Sequence, residues 1–324
     1  MDTTWLGLTD LQVFPIAFGT WQLGGEWGDF DERDAITAIR HARKLGINLF
    51  DTAQAYGFGA SERLLGRALR DELDHRRDDV ALATKGGLRM TPDGLVRDSS
   101  AAWLRSGVEQ SLRALGVDHI DLYQVHWPDP NVSFAETAGA LQQLVDEGKI
   151  RHAGVSNYSV AQMAAFARTR PVETMQPPYH LFRREIEEDI APYALEHGIG
   201  VLVYGPLAHG LLSGTMDEHT TFAAGDWRSQ SPLFQGETFR RNLRTVGELK
   251  RWACERGHTV SQLAIAWTLA HPAVDVAIVG ARRAPHIEDS VGAAKVELTA
   301  DDLAEIDQIM AGAVTVAGPS PESV

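Results

Sequence analysis

Asp51, Tyr56, Lys85 and His126 are residue types that can hold or move a proton, and each stands just after a short apolar run. Asp51 closes Ile47-Asn48-Leu49-Phe50, and Tyr56 follows in Thr52-Ala53-Gln54-Ala55-Tyr56-Gly57. Lys85 follows Val80-Ala81-Leu82-Ala83-Thr84, and His126 follows Ile120-Asp121-Leu122-Tyr123-Gln124-Val125. A free tyrosine ionises near pH ~10 and is a sluggish acid, whereas an ammonium beside it favours the phenolate and brings ionisation towards neutrality. Lys85 can supply that ammonium, and Asp51 can hold it charged and in place. Singly, each residue also has an ordinary reading: a helix cap for Asp51, a packed ring with a wet hydroxyl for Tyr56, a surface charge for Lys85 and a satisfied near-core imidazole for His126.

The runs before these residues read as buried strands, and the amphipathic stretches between them as helices. Weak alternation over 4–14 predicts a small hairpin. A strand at 16–19 precedes a helix at 31–45, with Ala35, Ile36, Ile39, Ala42 and Arg43 at helical spacing and Gly46 as its stop. The strand at 48–51 precedes a helix at 61–73, capped by Ser61. Strands at 80–85, 120–126, 151–156 and 174–176 precede helices at 99–115, 133–147, 159–167 and 184–197. The strand at 200–204 has a late helix at 238–256, and a strand at 276–280 precedes a helix at 285–294. Eight strands alternating with eight helices predict an α/β fold, a (β/α)8 TIM barrel with an N-terminal β-hairpin and a C-terminal helix and tail over 300–324. No linker composition interrupts the alternation, so one domain over 1–324 is expected. In such a barrel the C-terminal strand ends converge on one face, which would bring Asp51, Tyr56, Lys85 and His126 together.

In this order the segments resemble the aldo-keto reductases, whose Asp-Thr-Ala-x-x-Tyr-Gly, Thr-Lys and Val-His segments stand here as Asp51 to Gly57, Thr84-Lys85 and Val125-His126. The resemblance runs from Gly19-Thr20-Trp21 to Ile278-Val279-Gly280-Ala281-Arg282-Arg283 and the helix after it. It implies NADPH-dependent reduction of an aldehyde or ketone to an alcohol, with a proton from Tyr56 assisted by Lys85, Asp51 and His126. Reduction needs a hydride that no side chain supplies, so a cofactor is required. Neither Gly24-Gly25 nor Gly57-Phe58-Gly59 continues as G-x-G-x-x-G. The resemblance implies instead an extended nicotinamide cofactor across the barrel mouth, bordered by Gly19, Thr20, Trp21, Asp51 and Gly280. Ser156, Asn157 and Gln176 are expected on the carboxamide, and Tyr204 stacked on the nicotinamide ring. Gly205, Pro206, Leu207, Gly210 and Leu212 belong to the segment expected to wrap the pyrophosphate, with 213–237 as a flap over the cofactor.

Arg282 and Arg283 are a basic pair whose guanidinium forks suit a phosphate monoester, so NADPH or NADP+ is expected over NADH. His286, Asp289 and Ser290 are expected around the adenine; Gln and Asn are frequent in the family where His286 and Ser290 stand. Trp21, Tyr56, Phe58, His126 and Trp127 are expected to line the substrate site. Two other readings use the same residues: an aldolase or lyase forming a Schiff base on Lys85, and an NADPH-binding sensor similar to channel-associated β subunits.

With a net charge of −14, the 324-residue chain is a poor match for nucleic acid or an anionic membrane, both of which reward clustered Lys and Arg. Its single cysteine, Cys254, excludes an intrachain disulfide and reads as a small packing residue in a helix; Trp103, also in a helix, reads as core or surface packing. The N-terminus has no basic signal-peptide region, and no apolar stretch reaches the ~18 residues of a membrane span. The histidines lack H-x-x-x-H or H-E-x-x-H spacing, so no metal is expected. A cytoplasmic enzyme of a small carbonyl substrate, monomeric or a weak homo-oligomer, is the resulting expectation.

Overall fold

The computed structural model describes residues 3–25, 27–223 and 226–316. Positions 224–225 of the expected flap and 317–324 of the expected tail lie outside the described residues. A first hairpin pairs β1 (Thr4–Trp5) with β2 (Gln12–Val13). The chain then alternates: β3 (Ile16–Gly19), α1 (Glu32–Lys44), β4 (Leu49–Asp51), α2 (Ala60–Ala68), α3 (Arg70–His75), β5 (Ala81–Gly86). A second hairpin, β6 (Leu88–Thr91) with β7 (Gly94–Arg97), precedes α4 (Ala101–Leu115). Next come β8 (Ile120–Val125), α5 (Phe134–Asp146), β9 (Ile150–Ser156), α6 (Val160–Ala167), β10 (Thr174–Gln176), α7 (Ile190–His197) and β11 (Gly200–Tyr204). The chain closes with α8 (Gly236–Glu255), α9 (Val260–Leu269), β12 (Val276–Gly280), α10 (Ala284–Gly292) and α11 (Ala300–Met310). Strands β3, β4, β5, β8, β9, β10, β11 and β12 form a closed parallel barrel.

Alternation along the strands decides what points where. Ala17, Leu49, Ala81, Ala83, Leu122, Leu202, Val276 and Ile278 fill the barrel interior. Phe18, Phe50, Leu82, Tyr123, Val125, Val155, Met175, Val203 and Val279 face the helices in the larger core. Continuing each inward series to the C-terminal strand ends reaches Gly19, Asp51, Lys85, His126, Ser156, Gln176, Tyr204 and Gly280, so a period of two brings these residues to one open end. The other end is plugged by the first hairpin, whose Leu6, Leu11 and Val13 belong to the interior cluster.

The helices largely follow their signals. Ser100, Ser133 and Ser159 cap their helices, accepting from the Trp103, Glu136 and Gln162 amides. Ser61 does not cap: α2 begins after Gly59, whose φ of 87° opens the helix, and the buried Ser61 hydroxyl instead bonds Thr20 Oγ1 at 2.7 Å, bracing the β3 and β4 ends. The expected helix at 61–73 is also broken, because the chain leaves helical geometry at Leu69 and the Ala68 carbonyl accepts from Arg40 Nε. Helix α9, which the sequence reading did not separate, packs on β12 and α10 and buries eight residues; α8 packs outside it and against α11. Cys254 is exposed rather than packed, since the neighbouring Trp252 and Ala253 take the inward face of α8. Among the described residues no helix is long and apolar enough to cross a membrane.

At the plugged end, His152 Nε2 lies 2.6 Å from Asp10 Oδ1 of the hairpin, and Nδ1 lies 2.7 Å from Glu173 Oε1. Burial works against the imidazolium, but bonds and charge from Glu173 and Asp10 outweigh it and the His152 pKa is raised above 6.5. The stabilisation is therefore full below about pH 6.5 and is lost as pH rises through the raised folded value. Denaturant titrations should show wild type and His152→Ala furthest apart in stability below pH 6.5, with the gap closing as pH rises; a constant gap would contradict this. Gly66 generates a second test, because a Cβ there would stand 2.3 Å from the Leu115 carbonyl oxygen of α4. Helix propensity alone favours Gly66→Ala by about 1 kcal/mol. Overpacking costs about 1–3 kcal/mol, so a net lowering of the urea midpoint is expected.

Candidate active site

Lys85 is buried in the barrel interior, where a charge is tolerated only if paired and fully bonded. Its Nζ donates to Asp51 Oδ1 at 2.6 Å, to the Thr52 carbonyl at 3.0 Å and to the Tyr56 hydroxyl at 3.5 Å. Those three bonds use the three donors of an ammonium. Asp51 uses its other oxygen as well, since Gln176 Nε2 donates to Oδ2 at 3.0 Å. The His126 ring stands edge-on to Tyr56, with centroids 5.7 Å apart. Burial first, and then the Lys85 charge, holds the His126 pKa well below 6.5, so the imidazole is neutral at physiological pH. The result is a tyrosine hydroxyl between a fixed ammonium and a neutral histidine, which is an arrangement for proton transfer to an oxygen.

Tyr56 opens on a cavity of about 450 Å³ that reaches Tyr204 and Gln176 on one side and His286, Asp289 and Ser290 of α10 on the other. Gly19, Thr20, Trp21, Asp51, Gly205, Pro206, Leu207, Gly210, Gly280 and Arg282 also line it, as the sequence reading expected. Gly19 and Gly280 are paired across β3 and β12; a Cβ on Gly19 would stand 2.7 Å from Ile278 Cγ2 and one on Gly280 would overlap the Gln22 amide, so glycine there makes room for these two side chains. Tyr204 offers an aromatic wall, and its hydroxyl donates to Asn157 Oδ1 at 2.9 Å. An extended nicotinamide dinucleotide fits these features: a ring platform at one end, a glycine-rich loop in the middle and a guanidinium at the far end.

Several expected residues lie elsewhere. Ser156 and Asn157 do not line the cavity: Ser156 Oγ donates to the Gln176 carbonyl at 2.8 Å, and Asn157 Nδ2 donates to the His126 carbonyl at 3.1 Å. Leu212 packs in the core, beyond a kink at His209 and Gly210 that breaks the turn over Ala208–Ser213. Arg283 turns to solvent, 70% exposed, with Nε 3.5 Å from Asp34. Phe58 is exposed, because positive φ at Gly57, Phe58 and Gly59 swings the chain outwards after Tyr56. Trp127 is buried under the Arg97 guanidinium, 5.1 Å from its ring, and does not line the cavity.

Other residues join the site that the sequence reading had not singled out: Gln22, Trp27, His209, Ser213, Thr215, Arg228 and Ser261. Trp21 stacks near Tyr56 at 6.4 Å and near Trp227 at 6.2 Å, and meets Trp27 edge-on at 4.8 Å. His209 completes this aromatic wall; burial, then Arg183 and Arg228, push its pKa down to about 3. Its position inside the 205–214 segment, and that of Ser213, Thr215 and Arg228 inside the expected 213–237 flap, were the usable signals, whereas Trp27 carries none.

A model of the aldo/keto reductase family matches residues 15–311. Aldo-keto reductase YhdN of Bacillus subtilis (strain 168) is 42% identical over 317 residues, covering 97% of this chain and 95% of that protein. The glycerol dehydrogenase AKR11B4 of Gluconobacter oxydans superposes with a TM-score of 0.89 at 40% identity, covering 98% of each chain. An aldo/keto reductase of Klebsiella pneumoniae, solved in complex with NADP and acetate, superposes with a TM-score of 0.76 at 29% identity over 99% of each chain. Matches of this length and identity show that the chain belongs to the aldo/keto reductase family.

Proposed function

We propose that the protein reduces an aldehyde or ketone to an alcohol with NADPH, and that Tyr56 is its proton donor. The carrying observation is the Tyr56 hydroxyl 3.5 Å from an ammonium that is itself bonded to buried Asp51, at the edge of a cavity shaped for a dinucleotide. When bound, the nicotinamide supplies a hydride to the carbonyl carbon. Tyr56 and neutral His126 hold the carbonyl oxygen by hydrogen bonds. As negative charge grows on that oxygen, Tyr56 gives up its phenolic proton to it, and the Lys85 ammonium stabilises the phenolate left behind. Asp51 keeps Lys85 charged and fixed, and Gln176 fixes Asp51. Tyr204 would form the platform for the nicotinamide ring, and the parts of the expected flap at 213–223 and 226–237 would cover the dinucleotide. The Schiff-base reading loses support, because an amine that spends all three N–H donors as an ammonium has no free lone pair for a carbonyl carbon.

The NADP complex of the Klebsiella neighbour and the guanidinium of Arg282 in the cavity both support NADPH as the preferred cofactor. Of the basic pair, Arg282 lines the cavity and Arg283 does not, so the 2′-phosphate falls to Arg282.

Tyr56→Phe is expected to leave dinucleotide binding intact and lower kcat roughly a hundred- to ten-thousandfold in a carbonyl-reduction assay; near-normal turnover would refute the assignment. Fluorescence titration should find Arg282→Gln losing affinity for NADPH more than for NADH, with Arg283→Gln close to wild type. The reverse order would return the phosphate to Arg283.

A further inference from the structure

A second recess, of about 410 Å³, lies on the outer face of the barrel between α2, α4 and the β6–β7 hairpin, and no residue that lines it lines the open-end cavity. Gln54 and Glu62 stand at its base, 5% and 0% exposed. Each keeps one oxygen without a hydrogen-bond partner. Glu62 Oε1 accepts from Thr84 Oγ1 at 2.7 Å and Oε2 from none, while Gln54 Nε2 donates to Gln110 Oε1 at 3.1 Å and Gln54 Oε1 accepts from none. The Ser111 and Tyr123 hydroxyls stand near the same carboxyl and complete no hydrogen bond to it. Buried atoms of this kind mark a place where a polar group belongs.

The way to these oxygens is kept open by glycine. Glu62 Oε2 lies behind Gly59 in the wall of the recess, where a Cβ would stand 3.8 Å from it, and a Cβ on Gly107 of α4 would stand 3.0 Å from Gln54 Oε1. Burial pushes the Glu62 carboxyl up from its ordinary 4.5, with Ser111, Thr84 and Arg63 acting in the opposite sense. That favours the neutral acid, whose hydroxyl donates. The base thus offers a donor on Glu62 and an acceptor on Gln54.

The walls are apolar. Phe58 and Met90, 44% and 55% exposed, are two of the five large hydrophobic side chains that stand in solvent among the described residues, and both line this recess. Phe58 is held at φ 46°, in the left-handed region that side chains rarely adopt, and backbone strain of that kind gathers at functional sites. Trp103 adds a ring fixed by its Nε1, which donates to the Leu88 carbonyl at 3.1 Å. Arg63 and Arg113 also border the recess and disfavour a cationic ligand.

We propose that this recess is a second small-molecule site, which takes a neutral aromatic primary carboxamide. The ring lies among Phe58, Met90 and Trp103, an amide N–H donates to Gln54 Oε1, and the amide carbonyl accepts from Glu62. A primary carboxamide carries its donor and its acceptor in one plane beside an apolar ring, which matches both parts of the recess. The occupant touches the loop that holds Tyr56 from outside the barrel, since Gln54 and Phe58 belong to that loop and the Gln54 amide donates to the Lys85 carbonyl at 3.0 Å.

The test is an NMR titration of the full-length protein, labelled at its methionine methyl groups, with benzamide and with N,N-dimethylbenzamide, which keeps the ring and the carbonyl but has no N–H. Benzamide is expected to shift the Met90 resonance, assigned through Met90→Leu, and to saturate; N,N-dimethylbenzamide should bind about tenfold more weakly or worse, because the buried Gln54 oxygen is then left unmade. Ala114→Trp, at a half-buried position of α4 in the recess wall, should abolish the shift. The proposal is overturned by the absence of a saturable shift at Met90, by equal affinity for the two amides, or by benzamide binding that Ala114→Trp does not change. Should Ala114→Trp not fold, the comparison of the two amides at Met90 of the wild type decides. None of these readouts depends on turnover, so a protein without reductase activity would leave them intact.

Discussion

The ion pair between Lys85 and Asp51 is the constraint on which the open end of the barrel depends. Both groups are almost wholly buried, 2.6 Å apart. Such a pair contributes little net stability, but removing one partner leaves an uncompensated charge at a cost of about 3–5 kcal/mol. Its satisfaction recruits strands from around the barrel: Asp51 ends β4, Lys85 stands on β5, and Gln176 ends β10. The same charge adds to burial in keeping His126 neutral, and it brings an ammonium to the Tyr56 hydroxyl. One buried pair thus links the closure of the sheet to the protonation state of its open end.

The two ends of the barrel handle charge differently. At the plugged end, His152 lies between two carboxylates, and Arg151 joins Asp10 to Asp121, so hairpin and barrel wall are tied by paired charges. At the open end the charges are unevenly paired: Asp226 is bonded to Arg228, Arg282 donates to the Trp27 carbonyl, and Trp21, Trp27, Trp227 and His209 pack ring to ring beside them. The first arrangement holds the fold together, and the second leaves capacity for an anionic ligand. Low local polarity strengthens both.

Aromatic packing also explains why Arg228 can be precise although it stands on an irregular segment. Its planar group is held by rings on its faces and by carboxylate and carbonyl oxygens on its edge. A lysine in the same place would lack the edge geometry.

The barrel, its open end and the meeting of Asp51, Tyr56, Lys85 and His126 were legible in sequence, because they depend on local signals: apolar runs, strand alternation with a period of two, and serine caps. A capping-box signal for α9, Thr259 with Gln262, was also present and went unread. Other features have no local signature. Whether Arg282 or Arg283 faces the cavity depends on how the chain leaves β12 against the Trp27 turn, contacts separated by some 250 positions in sequence. Phe58 turns outwards through a backbone twist shared with two glycines, and Ser61 prefers the distant Thr20 to its own helix end. Arg228 enters the site because Trp27, Phe222 and His209 converge on it only in the folded chain. Sequence by itself determined which residues lie on the inward face at strand ends, since a strand's pleat sets that alone; tertiary structure decided which loop side chains reach the cavity, since packing between distant segments sets their direction.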